Sequence, residues 1–426
     1  MKRSATAVIG ANYGDEGKGL MTDYHIAPAG PDGIVVRFNG GAQAGHTVTT
    51  PAGLRHVFSH FGSGTLLGAA TYLSRHFVCH PALFLKEAAQ LEGAGLAVLP
   101  PVFVDDRAPV STLYDILLNQ ALERHRGQAR HGSCGMGFGE TVERQLDPDF
   151  ALTVADLRQG AGYLLHRLAT IRDRYVPRRL ADLGIASLDA QCAGWLASDG
   201  ALQSFVHAAM QFRRMTQVAR PAMLTDYAQL VFEGAQGLLL DQDRGAFPYV
   251  TRSHTGIRNA LEVAGEAGIE ALDVTYITRA YLTRHGAGPL AGELPGKPYP
   301  GIEDRTNVPN EFQGRLRFAH LDLDLLVRTI QQDFADTMRY PGIDATLHLA
   351  VSCLDQVGPA VAYIEDGILK TVPPGLLADR LAGRLAAAVA YTAWGPTRDT
   401  VRIVRRHWPS VEFDEAKSKC FLPFGG

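Results

Sequence analysis

The chain has little that would tie it to a membrane, a nucleic acid or an oxidising compartment. No apolar run approaches the roughly 20 residues that span a bilayer. Met1-Lys2-Arg3 leads almost directly into an apolar stretch, so no cleavable leader is expected. The 41 basic and 44 acidic residues leave a formal charge of −3, which gives no reason to expect a polyanion as partner. The five cysteines (Cys79, Cys134, Cys192, Cys353, Cys420) are scattered, odd in number and without a CxxC pair. A reduced, cytoplasmic protein is expected. Repeats, low-complexity tracts and linkers are missing too. With 46% hydrophobic and 20% charged residues, the chain reads as one globular unit over 1–426.

What the chain does have is a series of apolar runs that each break into a glycine-rich turn. The first is Ala7-Val8-Ile9, a buried-strand pattern, followed by Gly10-Ala11-Asn12-Tyr13-Gly14-Asp15-Glu16-Gly17-Lys18-Gly19. Closely spaced glycines leave backbone N–H groups free to point at an anion, and Lys18 adds charge for phosphate. The spacing is not that of the usual P-loop, because Gly19 stands where a hydroxyl would hold Mg²⁺. A carboxylate, Asp15, sits inside the loop instead. Among phosphate oxygens it is repelled unless a cation bridges it or it has a proton to move.

A second run, Gly33–Phe38, leads into Asn39-Gly40-Gly41-Ala42-Gln43-Ala44-Gly45-His46-Thr47. Two such units predict a parallel α/β sheet with its site at the C-terminal ends of the strands. His46 lies in a glycine turn rather than on an apolar face, which favours a functional imidazole. His56 and His60, four apart, lack a third ligand and read as a loop packed beneath the site. Periodicity predicts helices over 81–92 and 112–126, helical bulk over 154–219, and helical patterning over 376–391. Residues 98–104 are strand-like, with Pro100 and Pro101 weakening the start. Later come Leu230-Val231-Phe232-Glu233-Gly234-Ala235-Gln236-Gly237, Pro248-Tyr249-Val250-Thr251, and a buried-strand run at 345–351 ending in Ser352-Cys353-Leu354-Asp355.

Gly14-Asp15-Glu16-Gly17-Lys18-Gly19, with the blocks that follow it in order, resembles the adenylosuccinate synthetase family, which joins aspartate to a 6-oxopurine nucleotide at the expense of a nucleoside triphosphate. The resemblance runs from residue 7 to about 400 and implies a large, mostly parallel α/β fold related to P-loop NTPases, working as a homodimer. It implies that Asp15 removes the purine N1 proton and His46 assists the departing β-phosphate. Lys18 would offset phosphoryl charge and Gln236 would meet the 6-oxo group. Gly14, Glu16, Gly17, Gly19, Gly45, Thr47, Ser133, Cys134 and Thr251 would lie along the nucleotides, with Asp355, Gly395 and Pro396 at the donor base. Arg315 and Arg317 would grip aspartate by guanidinium forks. Mg²⁺ would rest on Asp15 and the Gly45 carbonyl. The donor would be GTP, with ATP or dATP as alternatives.

Several positions depart from the family pattern. Gln43 stands for an asparagine, Cys134 for a threonine, and Cys353 for the lysine whose stem packs on the donor base. Asn310-Glu311-Phe312-Gln313 replaces a longer, threonine-rich loop before the arginines. For an arginine that reaches into the partner subunit, the nearest candidate is Arg144, a few residues short of the expected offset. Two further readings therefore stand beside IMP as acceptor. One is the phage-type branch that acts on dGMP, from which retention of Asp15 departs; the other is a nucleotide-binding paralogue without turnover, for which Asp15 and His46 would be superfluous.

Overall fold

Strands buried on both faces need apolar residues at nearly every position, and the runs above supply them. In a computed structural model, which describes residues 2–304, 307 and 314–404, they form the centre of a ten-stranded sheet. Its strands are β1 (Ser4–Gly10), β2 (Gly33–Arg37), β3 (Ala70–Leu73), β4 (Val102–Val104), β5 (Thr216–Val218), β6 (Gln229–Glu233), β7 (Ala271–Arg279), β8 (Asp344–Ser352), β9 (Val389–Ala393) and β10 (Val401–Val404). The spatial order is β10-β9-β8-β7-β1-β6-β2-β3-β4-β5. Every neighbouring pair is parallel except β9–β10 at one edge.

β1 therefore lies between β6 and β7, and the C-terminal ends of β1, β2, β6, β7 and β8 open on one side. The loops that the sequence singles out leave the sheet at those ends. A smaller, mixed sheet holds Tyr281–Arg284, Glu293–Leu294, Arg317–Asp322, Val361–Glu365 and Ile368–Val372. Among the described residues, no helix is long and apolar enough to cross a membrane.

Local signals account for most boundaries. Thr112 caps the helix Leu113–Arg126 through a capping box with Asp115. Pro100 and Pro101 delay the strand predicted from Val98 until Val102. One expectation fails: the helical patterning over 376–391 contains a helix only over Pro374–Leu385. Ala386 then takes a left-handed conformation (φ 50°), and Val389–Ala393 becomes β9, paired in parallel with β8. A short alanine-rich apolar run fits a helix or a buried strand equally, and the free edge of β8 decides between them.

Candidate functional site

The first glycine loop is built around a carboxylate that does not face outward. Glu16 accepts the N–H of Asn12 at 3.0 Å and of Gly14 at 2.8 Å, and pairs with Lys18 Nζ at 3.2 Å. Both side chains are almost fully buried. Gly14, Asp15 and Gly17 all have positive φ, so the loop winds tightly before helix α1 (Lys18–Ile26). Gly17 leaves the start of α1 without a side-chain cap, the arrangement in which first-turn N–H groups meet an anion. At Gly10 there is no room for a side chain: a Cβ would lie 2.5 Å from Glu16 Oε2 and 2.6 Å from the Gln236 carbonyl.

His46 is gripped from below. Its Nδ1 lies 2.7 Å from Glu233 Oε1, at the end of β6. The same carboxylate accepts the Ser63 N–H at 3.1 Å and the Ser63 hydroxyl, and Arg37 Nε lies 3.9 Å away. Burial pushes the Glu233 carboxyl up, but His46, Arg37 and Ser63 outweigh it and bring it to about 2. Burial draws the His46 imidazole down against the opposing pull of Glu233. With Nδ1 engaged, Nε2 is the nitrogen left to meet a ligand. Sequence reasoning missed Glu233, Ser63 and Arg37, although Glu233 opens the very block that carries Gln236.

Around this centre the other loops close in. Gln236 is half-buried at φ 66°, and Leu239 N–H donates to the Asn12 carbonyl at 2.8 Å. Gly19 abuts the His46–Thr47 backbone, where a Cβ would lie 2.6 Å from the Thr47 carbonyl oxygen. Gly45 is exposed beside them. Ser352 Oγ donates to the Glu16 carbonyl at 2.7 Å and so ties the turn bearing Cys353 and Asp355 to the first loop. Asp355 is exposed and Cys353 half-buried. Arg398 bonds Asp23 of α1 at 3.1 Å, which holds the Gly395–Pro396 turn beside that helix.

On the far side of Asp15 the hub is a loop to which no role was given, His285-Gly286-Ala287-Gly288-Pro289. Gly132 packs on it so closely that a Cβ would sit 2.6 Å from Ala287 N. Tyr13 donates to the Pro289 carbonyl at 3.4 Å, and Arg284 donates to the Pro289 and Tyr249 carbonyls. The Ser133 and Thr251 segments thus reach the first loop through it. The Ser133 hydroxyl donates to Asn119 Oδ1 at 2.9 Å. Gly132 and Ser133 N–H groups donate to the buried Glu123 carboxylate at 3.0 and 3.3 Å. Cys134 beside them is half-buried, and burial pushes its thiol up.

The two arginines differ. Arg315 is exposed, whereas Arg317 Nε donates to Glu293 at 2.8 Å and its Nη1 to the Gly286 and Gly288 carbonyls. Arg144 does not reach outward at all. It is fully buried, forked onto Asp115 at 2.8–2.9 Å and bonded to the Val110 and Phe150 carbonyls. His56 and His60 both face Glu87 beneath the site. The shortened segment Asn310–Gln313, and Cys420, lie outside the described residues.

With this geometry in hand, a comparison with known proteins decides the family. The adenylosuccinate synthetase family model matches residues 7–389. The chain belongs to the adenylosuccinate synthetase family. It is 33% identical over 374 residues to adenylosuccinate synthetase of Burkholderia mallei (strain SAVP1), a match covering 84% of this chain and 79% of the relative. The Burkholderia thailandensis protein of that name is 32% identical over 373 residues, with the same coverage. Among solved structures, fully ligated adenylosuccinate synthetase from Plasmodium falciparum superposes with a TM-score of 0.73 at 17% identity, covering 94% of this chain and all of that one. Succinoaminodeoxyadenylate synthetase of cyanophage S-2L, bound to dGMP and dATP, gives 0.54 at 18% identity, covering 94% and 95%. The protein is accordingly a carbon–nitrogen ligase of that family, a family whose substrates are a nucleotide, aspartate and a nucleoside triphosphate.

Proposed function

We propose that the protein joins L-aspartate to IMP, giving adenylosuccinate with hydrolysis of a nucleoside triphosphate. The observation that carries this is the pairing of Asp15, in the phosphate loop, with His46 held on Glu233, since a site that only binds nucleotide needs neither. The 6-oxo group is a poor leaving group and must first be phosphorylated. Asp15 takes the N1 proton, O6 attacks the γ-phosphorus, and the bond to the β-phosphate oxygen breaks. His46 Nε2 donates to that departing oxygen, while Lys18 and the loop N–H groups offset the charge that develops. Gln236 addresses the 6-oxo group and Thr251 the 5′-phosphate. The aspartate amine, placed by Arg315 and Arg317, then displaces phosphate from C6.

A divalent cation fits this donor set. The Asp15 carboxylate and the exposed Gly45 backbone would hold Mg²⁺ through oxygen, its preferred ligand. When bound it supplies neutralising charge for the phosphates. GTP is the proposed donor, read by Asp355, with ATP or dATP also used because Cys353 packs poorly on a base. The working form is proposed to be a homodimer in the cytoplasm, organised as one domain.

A second acceptor, dGMP, stands beside IMP because Gln43, whose amide nitrogen is buried without a hydrogen-bond partner, departs from the family together with Cys134 and Cys353 in ways that resemble the phage-type branch. Gln43 stands where the family carries a shorter asparagine. The cyanophage neighbour, solved with dGMP and dATP, has the same fold. Aspartate-dependent phosphate release with IMP, GMP, dGMP and AMP tests both readings. Turnover with IMP is the expected result, and turnover with dGMP alone would transfer the protein to the phage-type reaction. Activity with AMP, or with no 6-oxopurine nucleotide, would overturn the assignment.

A further inference from the structure

His285 stands 3.5 Å from the Asp15 carboxylate, Nε2 to Oδ2, without making a formal hydrogen bond. Both of its ring nitrogens are buried and unpartnered, and its side chain is only 17% exposed. A buried imidazole with nothing to bond costs free energy unless a partner arrives later. The only carboxylate recorded within reach is that of Asp15, among the described residues. Its loop is fastened on both sides: Arg317 Nη1 donates to the Gly286 carbonyl at 3.0 Å and to the Gly288 carbonyl at 2.9 Å, while Gly132 packs against Gly286 and Ala287. Other charges facing this corner are Arg279, which donates to the Asp15 carbonyl at 2.5 Å, Arg284, which lies over the Tyr13 ring, and Glu293, the partner of Arg317.

We propose that His285 is a positioning residue for Asp15: its Nε2–H closes onto one oxygen of the Asp15 carboxylate in the working complex and fixes the orientation in which that carboxylate faces the N1 edge of the purine. The 285–288 loop makes this contact depend on Arg317, so the group proposed to grip aspartate also sets the base. The inference rests on the functional reading above, because it assigns Asp15 the role of base. Shortening 3.5 Å to a hydrogen bond needs less than an ångström of movement, well within what a loop yields when substrate fills its site. A glutamine here would carry its amide nitrogen close to the position of Nε2 and could make the same bond without an imidazole.

The test is a set of three variants, His285→Ala, His285→Gln and Asp15→Asn, measured as full protein. Each is followed in steady state and by exchange of ¹⁸O from the β,γ-bridge of GTP with IMP present and aspartate withheld. Thermal unfolding checks that each variant is folded. The expected result is that His285→Ala lowers kcat and the exchange rate together by about 10- to 100-fold, with KM for IMP and GTP within about three-fold of wild type, and that His285→Gln restores both to within about five-fold. Equal loss in the alanine and glutamine variants would overturn the proposal. So would an alanine variant within two-fold of wild type, or a loss confined to KM. If wild type itself shows no aspartate-dependent turnover, or Asp15→Asn is unimpaired, the functional reading fails instead.

Discussion

The two halves of the site are built to different standards. On one side His46 is locked: Nδ1 on Glu233, Glu233 on Ser63, Arg37 behind them and lying 5.3 Å from the Phe77 ring centre, all of it buried. On the other side Asp15 is part-exposed with an imidazole near but not bonded, Arg315 points to solvent, and the Ser133 loop spends its N–H groups on Glu123. The preorganised half is the one proposed to meet the donor's departing phosphate, where fixed dipoles cost no reorganisation during the reaction. The looser half would handle acceptor and aspartate, and its groups still have movements to complete. An enzyme that must assemble three substrates before breaking a phosphoanhydride would gain from this order, since closure over the acceptor would then complete the site.

The largest expected effect removes the chemistry from either half. Asp15→Asn and His46→Asn should each lower kcat by roughly 10²- to 10⁴-fold, the usual scale for a general acid or base. The comparison predicts a difference in stability. His46→Asn can keep a donor to Glu233 through its amide nitrogen but empties the ring's volume from a buried network and should reduce thermal stability as well, whereas Asp15→Asn, part-exposed, should not. Turnover of both variants within a few-fold of wild type would show that neither half does the proposed work.

A smaller effect tests the lock itself. Glu233→Gln keeps the shape and an acceptor for His46 but removes the charge, and should cost about 10- to 100-fold in kcat, or about 1.4–2.7 kcal/mol. It also strips Arg37 of its counter-charge, so a drop in melting temperature should accompany it. Ser63→Ala, which leaves the ion pair intact, should lose less on both counts. Should Ser63→Ala prove the worse variant in turnover, the network would be holding the fold rather than the imidazole.

How much of this was legible beforehand follows the same division. Glycine turns after apolar runs announced the strands, and Asp15, Lys18, His46 and Gln236 lie in the segments that follow the adjacent strands β1, β2 and β6. What the chain order concealed was pairing across long separations. Glu233 lies 187 positions from His46, and nothing local marks it as its partner. Glu16 read as a loop carboxylate facing ligand, yet it is turned inward to hold the loop's own N–H groups. Arg315 and Arg317 read as a matched fork, but Glu293 and two glycine carbonyls engage only the second. The His285 loop resembles the family but was given no role, because a histidine between an arginine and a glycine says nothing of which carboxylate will lie opposite. β9 was misjudged because its apolar residues suit a helix as well as a strand until a neighbouring strand is there to pair with.

The smallest expected effect concerns the donor base, at the edge of the locked half. Ser352 is buried and tied to Glu16, so the turn it begins is fixed; Cys353 follows at φ 60° and Asp355 stands exposed beyond it. A carboxylate at that place can accept from guanine N1–H and the 2-amino group together, and that two-point contact is what would prefer GTP over ATP. A cysteine covers less of a ring face than a lysine stem, so the base is held less firmly against Asp355 and the two-point contact that favours guanine is weakened. Cys353→Lys should therefore raise kcat/KM for GTP by a few-fold and widen the GTP-to-ATP ratio by about the same factor, about 1 kcal/mol. Positive φ at this position costs a lysine no more than the cysteine already there, so folding should be unaffected. Asp355→Asn should abolish the preference in both backgrounds, because an amide presents guanine with one acceptor in place of two. If the lysine variant gains equally with ATP, packing is restored but Asp355 is not the group reading the base.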